Sequence, residues 1–468
     1  MSIIFDEIPR LIACRLEPAT STGILGSFSI DSRNLKSGEV FIALNTEQAD
    51  GHDYIHDAFN KGAQAAFVNR VWFEKNYKDY SNEKFIVVED TLASLQQLAR
   101  AHRKRFKIPV IALTGSNGKT SAKELLAAAL ETQFRVLKSP GNFNNHIGVP
   151  LTLLQLDPDV EILLLEMGTN QPGDIELLCS LAIPDYGLVL NIGPAHLMGF
   201  INLEGVAREK SKLLRGLPPS GAAFINVDDP YVSVMKTSTD QRFCFGLNAN
   251  LPEEDCFRMQ CAEDLGVTEN GCGKFRLRNT TFTMNWPGRH QISNGLAAAT
   301  VADYFGIPME VIAQKFASIQ PIKGRLNIDV IAGITVIDDA YNANPGSTLP
   351  ALELLRSLPV SGKKFVVIGD HLELGQVALD EHIKIGKMLV QAGVDGAFLV
   401  GTEIQHALSV IGKLLMHYQK EPTEIDELVR KLLNTIKSGD AVLIKGSRGM
   451  ALDRIIREIR QKIGEVKD

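Results

Sequence analysis

From Lys107 onward the chain alternates short apolar runs with helical stretches, and this alternation constrains its fold more than any other feature. PVIAL leads into a glycine turn and SAKELLAAALETQ. EILLLEM leads into DIELLCSLA, YGLVLNI into NLEGVAREKSKLLRGL, and AAFIN follows. Apolar runs without polar alternation are strands buried on both faces, and the helices between them are the crossovers of a parallel sheet. A second series starts at about Lys323, with IDVIAGITVIDD, PALELLRSL, KKFVVIGD, AFLVG, DAVLIKG and a final helix. The first 86 residues or so mix short strands (SFSI, EVFIAL, AAFVN) with a helical stretch after Gly51. FIVVED and the amphipathic LASLQQLARAHRKRF come next. The stretch from about Phe243 to Asn285 is more polar and reads as short antiparallel strands.

A chain of 468 residues is too long for one ordinary core. Its 45% hydrophobic and 22% charged residues are those of a globular protein, and a net charge of −6 argues against nucleic acid as the main partner. MSIIFDEIPRLIACRLEP lacks the pattern of a signal peptide, and no apolar run reaches membrane-spanning length. Six cysteines are scattered without a C-x-x-C pair or histidines at zinc spacing, which reads as free thiols in a reducing cytosol.

The chemistry starts in ALTGSNGKTSAKELL, which places Gly118-Lys119-Thr120 between a strand and a helix. Glycines and a helix N-terminus present N–H groups to phosphate; Lys119 would neutralise it and the Thr120 hydroxyl would bind Mg2+. The usual loop has four residues between its first glycine and the Gly-Lys pair. Here Gly115 and Gly118 enclose only Ser116 and Asn117, so this is not the commonest NTPase loop. Glu166 ends the leucine strand and His196 follows another strand end, at the edge where such sheets bind ligands. Each is a metal site or a plain strand-end residue. Asn142, Asn144 and Asn145 in GNFNNHIGVP, between two helical stretches, are turn residues or a polar substrate wall. Asn294 caps a helix or meets a ligand, and Arg325 enters the last unit. Two acids and two asparagines in VIDDAYNANPGS favour ligand contact. The expected fold class is therefore α/β with three domains. A central parallel-sheet, P-loop-like ATPase domain (87–322) is flanked by a small N-terminal α/β domain (1–86) and a C-terminal Rossmann-like α/β domain (323–468).

TGSNGKT, EMGTNQPGDI, NIGPAHL and DDAYNANP together resemble the Mur ligase family, the ATP-dependent amide-forming enzymes that assemble the peptide of peptidoglycan. SIDSRNLKSGEVFIAL followed by DGHDYI resembles the family's uridine-nucleotide domain, and VLIKGSRGMALDRI its C-terminal signature. The DNPR-type motif of the diaminopimelate- and lysine-adding members is absent. The resemblance implies UDP-N-acetylmuramoyl-tripeptide and D-alanyl-D-alanine as substrates, ATP and two Mg2+ ions as cofactors, and a monomer in the bacterial cytoplasm. A sister ligase adding a single amino acid, an NTPase or phosphotransferase, and a nucleotide-binding regulator are the rival readings.

By the same resemblance, Lys119 and the loop from Gly115 through Ser116, Asn117, Gly118 and Thr120 to Ser121 hold the ATP phosphates. Thr120 and Glu166 bind one Mg2+, and His196 binds or orients a second. Lys210 matches the family's carbamylated lysine and supports that second ion, with Lys212 as the alternative. Lys119, His196 and Lys210 are thus the expected catalytic groups. Asn294, Arg325 and Asp339 contact adenine or ribose, Ser32 and Arg33 face the uridine diphosphate, and Asn144 and Asn145 lie near the sugar or peptide. Two positions depart from the family pattern: Met198 stands where an acid is usual, and His371 where methionine is usual.

Overall fold

The computed structural model describes residues 3–46, 49–80, 82–194, 197–247, 256–422 and 425–464. Three sheets follow one another along the chain. The first orders its strands Arg15–Glu17, Phe85–Val88, Ala65–Asn69, Val40–Ile42 and Phe28–Ser29, parallel except for the first pair. The helix Thr91–Arg103, capped by the Asp90 carboxylate, carries the chain onward. Its Leu95, Leu98 and Ala99 share one core with Phe67 and Ile86 of the first sheet and with Val110 and Leu163 of the second.

Among the described residues the second sheet has nine strands. From one edge they run Val136–Lys138, Ile162–Glu166, Val110–Thr114, Tyr186–Val189, Ala222–Asn226, Arg242–Gly246 and Arg258–Val267, all parallel. Cys272–Leu277 and Thr280–Pro287 extend it antiparallel. Val110–Leu113 and Ile162–Leu165 are fully or almost fully buried, as a strand covered on both faces must be. Against one face lie the helices Lys119–Leu130 and Gln291–Tyr304 in a core of leucine, alanine and phenylalanine. The third sheet orders Asn327–Ile331, Ile334–Asp339, Ala441–Lys445, Lys364–Gly369, Gly396–Val400 and Leu415–Gln419, parallel after the opening hairpin.

Three expectations are corrected. Arg242–Gly246 is parallel to both neighbours rather than part of an antiparallel set, because its polar surroundings hide a strand that the larger sheet simply extends. The asparagine loop follows an edge strand, Val136–Lys138, not a helix. Cys244 and Cys256 are disulfide-bonded, whereas Cys14, Cys179, Cys261 and Cys272 are free. The parallel pairing of Phe243 with Arg258 returns the chain beside Cys244, a proximity that cysteine spacing does not reveal. No helix among the described residues is long and apolar enough to cross a membrane.

Candidate active site

Strand order assembles the site. Val110–Thr114 lies between Ile162–Glu166 and Tyr186–Val189, and the registers set Leu113 beside Glu166 and Thr114 beside Val189. All three run the same way, so Gly115, Glu166 and Asn191 leave the sheet on one edge. Gly118 has φ +77° and caps the helix Lys119–Leu130; an added Cβ would also collide with the Asn294 amide oxygen. Glycine is required there on both counts. Asn117 N–H donates to Asn191 Oδ1 at 2.8 Å and Gly193 N–H to Ser116 Oγ at 2.8 Å, pinning the loop to the neighbouring strand end. Lys119 Nζ curls back to the carbonyls of Gly115 at 2.9 Å and Ser116 at 3.4 Å. Burial lowers its pKa, opposed by the Glu166 charge.

Glu166 is 2% exposed. Its Oε1 accepts Asn144 Nδ2 at 2.8 Å, while Oε2 is buried without a hydrogen-bond partner among the described residues, the Lys123 ammonium standing off at 3.7 Å. With no donor in hydrogen-bond reach, its lone pairs stay open to a directly bound cation. Among the described residues no group of three or more His, Cys, Asp or Glu forms a metal cage. Mg2+ needs none, because it keeps waters and takes one or two protein oxygens plus phosphate. Glu166 with the Thr120 hydroxyl therefore fits Mg2+ delivered with a nucleotide.

The helix Leu203–Arg215 resolves which lysine faces the loop. Lys210 is 2% exposed and its Nζ reaches Thr114 Oγ1 at 3.5 Å. Burial, then repulsion from Lys119, push its pKa well below the usual lysine value. Lys212 turns the other way, to Glu209 at 2.9 Å and Glu176 at 3.5 Å, and its bond to Glu209 raises its pKa. Val206, Lys210 and Leu213 lie on one buried stripe, a signal present in the sequence.

A cleft of about 1120 Å3 separates this edge from the third sheet. Arg325 crosses it, with Nη2 donating to Thr120 Oγ1 at 3.1 Å and its guanidinium 4.6 Å from the Tyr341 ring centroid. Parallel register puts Asp339 opposite Lys445, and Nζ meets Oδ2 at 2.6 Å. Burial raises the Asp339 pKa and the Lys445 charge opposes this. Asn344 caps the helix Pro345–Ser357 by accepting Ser347 N–H at 3.0 Å, and its Nδ2 donates to Asn117 Oδ1 at 2.7 Å. The third sheet's unit thus grips the loop at Asn117 and Thr120. Asn344→Ser keeps a good cap but cannot span to Asn117, so KM for ATP should rise about fivefold, as for one lost half-buried hydrogen bond. The melting temperature should stay unchanged, and steady-state kinetics with a thermal melt checks both.

The cleft brings together Ser116, Asn117, Gly118, Lys119, Thr120 and Ser121 with Asn144, Asn145, Glu166, Asn294, Arg325 and Asp339. Gly115 serves by its carbonyl and Lys210 lies beneath the loop. Ser32 and Arg33 are not among the lining residues. Ser32 is buried with its carbonyl accepting Lys61 Nζ at 2.9 Å, and Arg33 is exposed beside Asp31 at 2.9 Å. His196 lies outside the described residues. Met198 is 72% exposed, and its N–H donates to Glu373 O at 3.3 Å.

Sequence reasoning missed Lys445, His290 and Gln291. Lys445 ends a strand in VLIKG as Asp339 ends its neighbour, a pairing visible only once the strand order is known. His290 and Gln291 line the cleft, and Gln291 Oε1 accepts Asn294 Nδ2 at 2.9 Å. Burial pushes His290 from 6.5 to about 4 and His371 well below 6.5. Both gain stability from staying neutral, present above pH 6.5 and lost as pH falls towards 4 and beyond. The melting temperature should drop on acidification through that window, and less steeply in His371→Met, as a pH series of melts will read.

A short glycine–lysine loop at a helix start and a buried carboxylate face a second α/β layer across a cleft, the arrangement of a nucleotide-using enzyme with room for further substrates. Profiles of the Mur ligase middle domain, the Mur ligase glutamate ligase domain and the Mur ligase family catalytic domain match residues 113–302, 324–448 and 26–103. The UDP-N-acetylmuramoyl-tripeptide–D-alanyl-D-alanine ligase of Bacillus subtilis is 34% identical, covering 94% of each chain. The protein of that name from Escherichia coli is 33% identical over 98% of this chain and 99% of its own. A crystal structure of MurF from Acinetobacter baumannii superposes with a TM-score of 0.85 at 27% identity, covering 98% of this chain and 99% of that one. MurF from Thermotoga maritima in complex with ADP gives 0.78 at 28% identity, covering 94% and 98%. The chain belongs to the Mur ligase family, and it is an ATP-dependent ligase.

Proposed function

We propose that this chain joins D-alanyl-D-alanine to UDP-N-acetylmuramoyl-tripeptide through an acyl phosphate, in the bacterial cytoplasm, as a step of peptidoglycan precursor synthesis on which cell shape and division depend. One observation carries the reading: the short ATP loop is held against the DDAYNANP segment by Asn344 on Asn117, and against the entry to the same unit by Arg325 on Thr120. Full-length similarity to ligases of that name supports the choice of substrates.

The tripeptide's terminal carboxylate attacks the γ-phosphorus of ATP; the bond to the β-bridging oxygen breaks and ADP leaves with the electron pair. The dipeptide's amine then attacks the acyl carbon, phosphate departs and the amine proton is lost to a base. Carboxylate is a poor acyl donor, and phosphorylation supplies the leaving group. Lys119 and the loop amides offset charge on the transferring phosphoryl group. Arg325 and Asp339 border the nucleoside, and Asn294 reaches adenine or ribose. Asn144 and Asn145 form the donor wall, while Ser32 and Arg33 face the uridine diphosphate on the N-terminal unit (1–86). The central unit (87–322) carries ATP and the last (323–468) the acceptor. Thr120, Glu166, His196 and a carbamylated Lys210 would hold two Mg2+ ions, which when bound screen phosphate charge. The enzyme works as a monomer.

The test is ATP-dependent phosphate release with Mg2+ over a grid of UDP-N-acetylmuramoyl peptides and acceptors. Release only with tripeptide plus dipeptide, and a pentapeptide product by mass, is expected. A shorter donor with a single amino acid would move the chain to a sister activity. Release without acceptor would leave an NTPase.

A further inference from the structure

The helix Lys119–Leu130 carries a second lysine one turn beyond Lys119 that the reaction does not use. Lys123 is completely buried, a position lysine almost never takes unpaired. Its Nζ donates to the carbonyls of Ser139 at 2.7 Å and Gly141 at 3.2 Å, and lies 3.2 Å from Glu124 Oε1 and 3.7 Å from Glu166 Oε2. The ammonium thus holds the entry to the asparagine loop and the carboxylate at once. The far side of the loop closes the ring. Asn144 Nδ2 donates to Glu166 Oε1 at 2.8 Å, and Gly168 N–H to Asn144 O at 2.7 Å. Between the two, Ser139 Oγ accepts Glu166 N–H at 3.1 Å.

The distances divide the lysine's work. Short hydrogen bonds go to the loop carbonyls, whereas 3.7 Å to Glu166 is charge attraction without a hydrogen bond. Oε2 is therefore steered but keeps its lone pairs for another cation. An apolar residue would fill such a pocket at no electrostatic cost, and a buried ion pair is by itself weak evidence for stability. We infer that Lys123 is a positioning residue: it holds Glu166 and the 140–145 loop as one unit, so that binding of the Mg2+–nucleotide and of the donor's sugar–peptide portion are coupled through it. This rests on the proposed reading of Glu166 as a Mg2+ ligand and of Asn144 as donor wall.

Calorimetric titration of wild type and Lys123→Met with ADP, with and without Mg2+, tests it together with KM for each substrate. In Lys123→Met the magnesium-dependent gain in ADP affinity should fall about tenfold, the usual scale for losing a group that orients a metal ligand. Affinity for ADP without Mg2+ should stay unchanged. KM for the UDP-linked donor should rise while KM for D-alanyl-D-alanine holds, and Lys123→Arg should recover part of both losses. An unchanged magnesium gain overturns the inference, as does equal weakening with and without Mg2+. If Lys123→Met does not fold, Asn144→Ala cuts the same ring from the cleft side, and an unchanged magnesium gain there overturns it equally. The titrations need no ligation, so a wild type that fails to join the substrates sinks the proposed function and leaves this test intact.

Discussion

Lys119→Ala should lose about a thousandfold in kcat, the scale of deleting one electrostatic stabiliser of a transition state, while melting at or above the wild-type temperature. The folded chain asks little of this side chain. Among the described residues its ammonium bonds only to the carbonyls of Gly115 and Ser116, one turn back in its own loop. The helix it begins is anchored instead by Ala122, Leu125, Leu126, Ala129 and Leu130, all fully buried. Removing Lys119 also removes a positive charge that opposes Lys210. Stability should therefore hold or improve while the phosphates lose their main counter-charge. Phosphate release at saturating substrates, beside a circular-dichroism melt, decides this. Turnover within tenfold of wild type would take the loop out of the chemistry.

Lys210→Met should cost about a hundredfold in activity, at the upper end for groups that orient a metal ligand, again without loss of stability. Lys210 is buried, has Thr114 Oγ1 at 3.5 Å, and is held well below the usual lysine pKa by burial and then by Lys119. A neutral amine is the form that adds CO2, and the carbamate it yields is an anion with two oxygens. The carbamate would turn an unfavourable pair of buried lysines into an attraction. Wild-type activity should fall after thorough CO2 removal and return with bicarbonate, and the variant should respond to neither. Carbon-13 bicarbonate should give the wild type a carbamate resonance that Lys210→Met lacks. Equal bicarbonate responses and no resonance would sink the modification.

The site was legible in the sequence wherever its chemistry is local. A strand, a glycine turn and Lys-Thr at a helix start need no distant residue to be understood, and Glu166 announces itself as an acid closing a run of leucines. Lys210 was half legible. Two residues on, Lys212 points about 200° away around a helix of 3.6 residues per turn, and only Lys210 falls in line with Val206 and Leu213. Lys123 was not legible at all, because a lysine in a helix reads as solvated until the loop that buries it is in place. His290 and Gln291 likewise look like cap residues until the cleft forms around them.

By itself, then, the sequence determined the elements, since strand and helix follow from hydrophobic period and the loop from its glycines, and it determined the reactive groups those elements present. It did not determine who meets whom. Asn344 reaches Asn117 across 227 residues, and Asp339 faces Lys445 only because the strands Ile334–Asp339 and Ala441–Lys445 are sheet neighbours though far apart in the chain. The disulfide between Cys244 and Cys256 depends in the same way on two strands lying side by side. Strand order and register arise from packing many faces at once, which no local pattern encodes, and in this protein they decide the pairings that build the cleft.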